Sequence, residues 1–245
     1  MITYELALNE RTRRFLRVQE VFQKFDAQIN NMSKFSEHAC FTTLFDVMSC
    51  ASRSDLKIEI IQELDKQIVN IVKKTKTKKN IKGSLDLKKI KKNLEKSVIP
   101  PGHQFGNDKF LQELKAASDS PFGIVSSDIT QFQSWIKQLE IKEKKEYFRD
   151  KFKVYIPIYS GLNSIINILK SNAQSVSHVT KSGVLQHALD PKEKNDLVLV
   201  TLPIKGRFCP QITSNKYALN IHFTQTNQSI MIVKPIKFKL AVCSF

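Results

Sequence analysis

The chain has 245 residues, 41% of them hydrophobic and 25% charged, which is enough apolar material for one large or two smaller cored domains and excludes a disordered chain. Lysine and arginine outnumber aspartate and glutamate by 39 to 23, a formal charge of +16, so the partners to expect are acidic: nucleic acid, anionic lipid or an acidic protein surface. No apolar run approaches the roughly 18 residues that span a bilayer, no signal peptide opens the sequence, and the scattered Cys40, Cys50, Cys209 and Cys243 do not form a disulfide framework; the expectation is a cytoplasmic protein with no membrane among its partners.

Ile2 to Leu6 reads as a short first strand. Asn9 is then a good N-cap, and a helix over about Asn9 to Gln28 follows. Leu8, Phe15, Phe22 and Ile29 recur every seven residues, and Val18, Phe25 and Met32 repeat the spacing three positions later, giving one apolar stripe of helical period. Arg11, Arg13, Arg14 and Arg17 crowd the first turns, with only Glu10 to offset them. Arg13 and Arg17 stand at i and i+4, so they share a face and repel by a few tenths of a kcal/mol. Folding alone has little use for such a face. It reads either as a solvated surface or as a cationic face for an acidic partner.

Further helices are predicted over Glu37 to Met48; from Ser52–Asp55 onward with Ile58, Ile61, Leu64, Ile68 and Ile71 in register; and around Leu87, Ile90, Leu94 and Val98, stopped by Pro100-Pro101-Gly102. Asn107 is the expected cap of a short helix carrying Phe110, Leu111 and Leu114, and Ser120 to Gly123 reads as a turn. Asp128 with Gln131 resembles a capping box ahead of Phe132, Trp135, Ile136 and Leu139. A charged helix over about Lys142 to Phe152 and a last one opened by Pro157, burying Leu162, Ile165, Ile166 and Leu169, complete the helical part. After about Asn172 the period changes to two, in Leu197–Leu202, Tyr217–Phe223 and Ile236–Val242, with a hairpin expected over Val176 to Leu189 broken at Gly183. The fold class is α+β: a mostly helical domain over residues 7–174, and a small antiparallel β-sheet domain over 175–245 that includes the N-terminal strand, 1–6. Ile236, Phe238, Leu240 and Val242 should share one buried face.

Lys73 to Lys96 holds eleven lysines against Asp86 and Glu95 and no aromatic residue. The absence of rings speaks against a reader of single strands, which stacks bases, but leaves duplex binding through phosphates open. No phosphate-binding glycine loop or nucleophile elbow occurs among the seven glycines, and the five histidines form no metal spacing with each other or with the cysteines. No catalytic residue, metal ligand or cofactor is therefore expected.

Short motifs in order along the chain carry a family resemblance. Leu8-Asn9-Glu10 with Arg13 and Phe15-Leu16-Arg17 comes first, then Ile61-Gln62-Glu63-Leu64-Asp65-Lys66-Gln67. Pro121, Gly123, Asp128 and Trp135 follow, then Pro210-Gln211-Ile212 with Lys216, and last Phe238, Leu240, Ala241 and Cys243. In these the sequence resembles the ZapD family of bacterial cell division proteins; Ser84 to Pro101 with its Lys-rich approach carries no such match. The resemblance implies a homodimer of helical and β domains, without enzyme activity, at the mid-cell division ring. It implies binding to the C-terminal tail of FtsZ, crosslinking of FtsZ protofilaments into bundles, and lowered FtsZ GTPase turnover. By position it points to Arg13 and Arg17, with Arg14, Lys109 and Lys216 as further tail-binding residues. The alternative is a basic nucleic-acid-binding protein acting through phosphate contacts.

Overall fold

Strand β1 (Ile2–Ala7) turns directly into helix α1 (Glu10–Asn30). The turn is made by Asn9, whose side-chain oxygen accepts the Thr12 N–H at 2.8 Å and so satisfies one of the orphan amides of the helix start. Both seven-residue series are buried as spaced: Phe15, Val18, Phe22, Phe25, Ile29 and Met32 lie in the core, and Leu8 is half-buried. The structure, a computed structural model, describes residues 1–34, 36–74, 78–98, 108–204, 208–226, 228–232 and 235–245. Among the described residues are eight helices and eight strands, all strand pairings being antiparallel. They fall into two compact units, one made of Met1–Leu16 with Ile166–Phe245 and the other of Arg17–Ile165.

The helical unit holds α2 (Glu37–Ala51), α3 (Ser54–Lys74), α4 (Lys78–Lys96), α5 (Lys109–Ser118), α6 (Thr130–Gln138), α7 (Ile141–Lys153) and the first turns of α8 (Ile156–Ser171). Its aromatic centre is Phe41, within 4.7 to 6.1 Å of Phe110, Phe132, Trp135, Tyr147 and Phe148. Several helices differ from their sequence-based expectation in detail. In α3 the buried face is Leu56, Ile60, Leu64 and Ile68, while Ile58 is 56% exposed and Ile61 and Ile71 are half-buried. The apolar period is ambiguous here because Ile58, Val69 and Val72 are apolar but exposed, and Glu63 and Gln67, bonded to each other at 2.8 Å, are buried beside the true face. Helix α4 ends at Lys96, closed by Ser97, whose hydroxyl donates to the Leu94 carbonyl at 2.7 Å; Val98 is beyond the helix and exposed. Pro100 to Gly102 and Asn107 lie outside the described residues. The cap of α5 is Asp108, which accepts the Leu111 N–H at 3.1 Å. Asp128 takes the Ser127 hydroxyl instead of capping α6; the reach-back bond expected there occurs at α7, where the Glu143 carboxylate accepts the Glu140 N–H at 2.8 Å. The Ser120–Gly123 turn forms as expected, with Gly123 at φ 67°.

The strand unit departs from the single expected sheet. β1, β4 (Leu197–Leu202), β8 (Ile236–Cys243) and β2 (Val176–Thr180) form one sheet in that order. β3 (Val184–Ala188), β6 (Ala218–Gln225) and β5 (Phe208–Ser214) form a second, with β7 (Gln228–Met231) on β6. Their apolar faces share one core: Val198, Val200, Leu202, Ile236, Phe238 and Leu240 meet Leu219, Ile221 and Phe223, with Val242 packed against them. The register read for β8 therefore holds. β2 and β3 do not pair with each other. They divide at Gly183, which sits at φ 72° with its Cα so close to the Ile232 carbonyl that an added Cβ would lie 1.8 Å from that oxygen. Tyr217 lies outside the strand it was assigned to, in the exposed β5–β6 turn.

Candidate functional site

The start of α1 is pinned by Asp196, which is almost fully buried. Its backbone carbonyl accepts the Leu8 N–H at 2.9 Å, and its own N–H donates to Cys243 at 2.9 Å. Its carboxylate accepts the Asn9 amide at 2.7 Å and the Phe245 N–H at 2.9 Å. One aspartate thus ties the helix cap to the end of the last strand. The sequence carries no signal for it, because an aspartate before a strand reads only as turn chemistry. Asp196→Ala removes two hydrogen bonds to a buried carboxylate and is expected to cost about 2–3 kcal/mol, read as a lowered urea midpoint at unchanged slope.

On the helix so held, Arg13 and Arg17 are both exposed, on the face away from Phe15 and Phe22. The Arg13 guanidinium lies 2.6 Å from Glu10, so the expected mutual repulsion is relieved by one local ion pair. An exposed pair of this kind contributes roughly 0–1 kcal/mol, and an incoming carboxylate can replace it cheaply. Arg17 has no ion-pair partner among the described residues. Arg14 is half-buried, and the Arg11 guanidinium stands 5.3 Å from the Phe15 ring and 5.7 Å from that of Phe245.

Lys216 is at the tip of the β5–β6 turn. Asn215 shapes that tip: its side-chain oxygen accepts the N–H of Tyr217 and of Ala218, each at 2.8 Å. Lys216 and Leu8 line one cleft of about 320 Å³ with Leu189, Pro191, Glu193 and Asn195, so the fold brings this lysine to the residue that precedes the α1 cap. Lys109 is the exposed first residue of α5, in the helical unit; its neighbour Asp108 is engaged by Lys151 at 2.7 Å. Fork-shaped guanidinium groups such as those of Arg13 and Arg17 suit carboxylates as partners.

Among the described residues no three His, Cys, Asp or Glu side chains are placed to hold a metal ion. Burial pushes the Cys40, Cys50 and Cys243 thiols up to about 11, which keeps them protonated at neutral pH and suits packing more than nucleophilic chemistry.

Residues 16–222 match the family model of the cell division protein ZapD. The chain belongs to the ZapD family. Its relatives span the full length: ZapD of Nitrosomonas europaea is 30% identical over 254 residues, covering all of this chain and 95% of that protein. ZapD of Nitrosomonas eutropha is 28% identical with both chains covered completely, and that of Aromatoleum aromaticum is 24% identical with 98% of the relative covered. The family is a cell division factor, and the α+β architecture described above is how this member folds.

Proposed function

We propose that this chain binds the acidic C-terminal tail of FtsZ through the exposed face of α1 and, as a two-fold homodimer, crosslinks FtsZ protofilaments at the mid-cell ring. The observation that carries this reading is the pair Arg13 and Arg17, side by side on a helix whose start is fixed by Asn9 and Asp196. Arg14 on the same helix, Lys216 on the β5–β6 turn and Lys109 at the start of α5 are further candidate contacts for the tail. Membership in a cell division family over nearly the whole chain supports the choice of partner. Crosslinking requires at least two tail sites per particle, and a two-fold dimer supplies them by symmetry, raising avidity without new contacts. Bundling also slows filament turnover, so FtsZ GTPase activity should fall. The protein acts here as an adaptor and not as an enzyme.

The test is low-speed sedimentation of polymerised FtsZ from the same organism, with and without this protein. The expected result is FtsZ in the pellet only when the protein is present, with less pelleting as salt rises. Filaments that stay in the supernatant at saturating protein would refute the reading.

A further inference from the structure

Helix α4 carries two unlike faces. Ser84, Leu87 and Leu94 are buried, whereas Lys88, Lys89, Lys92 and Lys96 are exposed and have no ion-pair partner among the described residues. Lys89, Lys92 and Lys96 stand at i, i+3 and i+7, which lines them up along the axis. Lys91, on the flank, is occupied: its ammonium lies 2.6 Å from Asp65 and 3.4 Å from Glu95. Lys57 reaches the carbonyls of Glu95 and Ser97 at 3.2 and 2.7 Å. These contacts make α3 and α4 antiparallel, with Asp65 level with Lys91. Val72, two turns further along α3, is then level with the turn that carries Leu85. Val72 is 59% exposed and Leu85 58%. Leu85, four, seven and eleven residues before Lys89, Lys92 and Lys96, continues the lysine row, and Val72, seven residues after Asp65, shares the face of α3 that borders α4 at Lys91.

The chemistry of that surface selects among polyanions. Lysine is a compact point charge on a flexible stem and suits a diffuse layer of phosphates more than one bidentate acceptor. The segment has no aromatic residue on which a base could stack. A duplex would use the lysines through its phosphates but give Val72 and Leu85 nothing. A bilayer rich in anionic headgroups rewards both, since phosphates meet the ammonium groups while the two apolar side chains enter the interfacial layer. We propose that the outer surface of the α3–α4 hairpin is a peripheral contact for an anionic phospholipid bilayer. This departs from the expectation of no membrane partner, which rested on the lack of a spanning segment. A peripheral contact needs none, and no helix among the described residues is long and apolar enough to cross a membrane.

The experiment is co-sedimentation of the full chain with vesicles of phosphatidylcholine, either pure or with about a third phosphatidylglycerol, over a range of salt. Binding to the anionic vesicles only, weakening with salt, is expected. Each lysine near such a surface is worth about fivefold in partitioning, so Lys88→Gln, Lys89→Gln, Lys92→Gln and Lys96→Gln together should lower it on the order of several hundred-fold. All four are exposed, and circular dichroism should be unchanged. Val72→Ser with Leu85→Ser, with every lysine kept, should weaken vesicle binding several-fold. Three results would each overturn the proposal: no binding to anionic vesicles, equal binding by the four-lysine variant, or a short DNA duplex that outcompetes the vesicles while the two serines change nothing.

Discussion

A protein carrying Arg13→Glu and Arg17→Glu together is expected to fold, and to leave polymerised FtsZ in the supernatant. Both side chains are exposed, so no core contact is lost. The variant gives up the Glu10–Arg13 ion pair and places a second carboxylate three residues from Glu10, a penalty of roughly 0.2–0.5 kcal/mol. Negative charge in the first turns of α1 meets the positive end of the helix dipole, which offsets a similar amount. Binding responds far more strongly. If the proposed tail site is on this face, reversing its two charges removes charge-assisted hydrogen bonds and adds repulsion, on the order of 2–5 kcal/mol, or roughly thirty-fold to several-thousand-fold in affinity. Circular dichroism checks the fold and low-speed pelleting checks the binding. Undiminished bundling by the folded variant would make this face a solvated surface, and would move the tail site to the Leu8–Lys216 cleft or to Lys109.

What could be read from the sequence was what short-range chemistry decides. The N-cap at Asn9, the two seven-residue series of α1 and the alternation of β8 each lie within a few turns or one strand, and each holds in the structure. The buried face of α3 was obscured because apolar residues stand on more than one of its faces, Ile58, Val69 and Val72 being exposed, while the polar Glu63 and Gln67 satisfy each other in the interior. The two-sheet arrangement depends on contacts far apart in the chain. Val184 to Ala188 and Val176 to Thr180 look like the arms of one hairpin, but they pair with β6 and β8 in different sheets, partners thirty or more residues away in sequence. For the candidate site the arginines were visible as an excess of charge. Asp196, which fixes the helix bearing them, was not, because its partners Asn9 and Phe245 are distant in sequence. The cleft shared by Leu8 and Lys216 was hidden for the same reason.

Replacing Lys144 by methionine is expected to destabilise the protein by about 3–5 kcal/mol near neutral pH. Its ammonium lies 2.8 Å from the Glu37 carboxylate, with both side chains nearly excluded from water. The same ammonium donates to the Ile136 carbonyl at 2.8 Å and stands 5.4 Å from the Trp135 ring, so it joins α2, α6 and α7. Burial alone would push the Glu37 carboxyl up, but the hydrogen bond from Lys144, a backbone hydrogen bond and the charges of Lys144 and His38 together outweigh it and hold the group below the ordinary carboxylate value. A depressed carboxyl contributes stability that is fully present above its unfolded value and is lost as pH falls through its folded value. Without Lys144 burial is opposed only by a backbone hydrogen bond and the weaker influence of His38, so Glu37 should protonate at milder pH in the variant. The deficit against the wild type should therefore be largest near pH 7 and shrink as the solution is taken toward about pH 4. Adding Glu37→Gln to Lys144→Met should recover much of the loss, because a neutral amide can stay buried where a lone carboxylate cannot. Urea unfolding across that pH range measures all three proteins. A deficit that persists in acid and is not repaired by the second substitution would assign the effect to lost packing of the lysine stem over Trp135, not to a stranded charge.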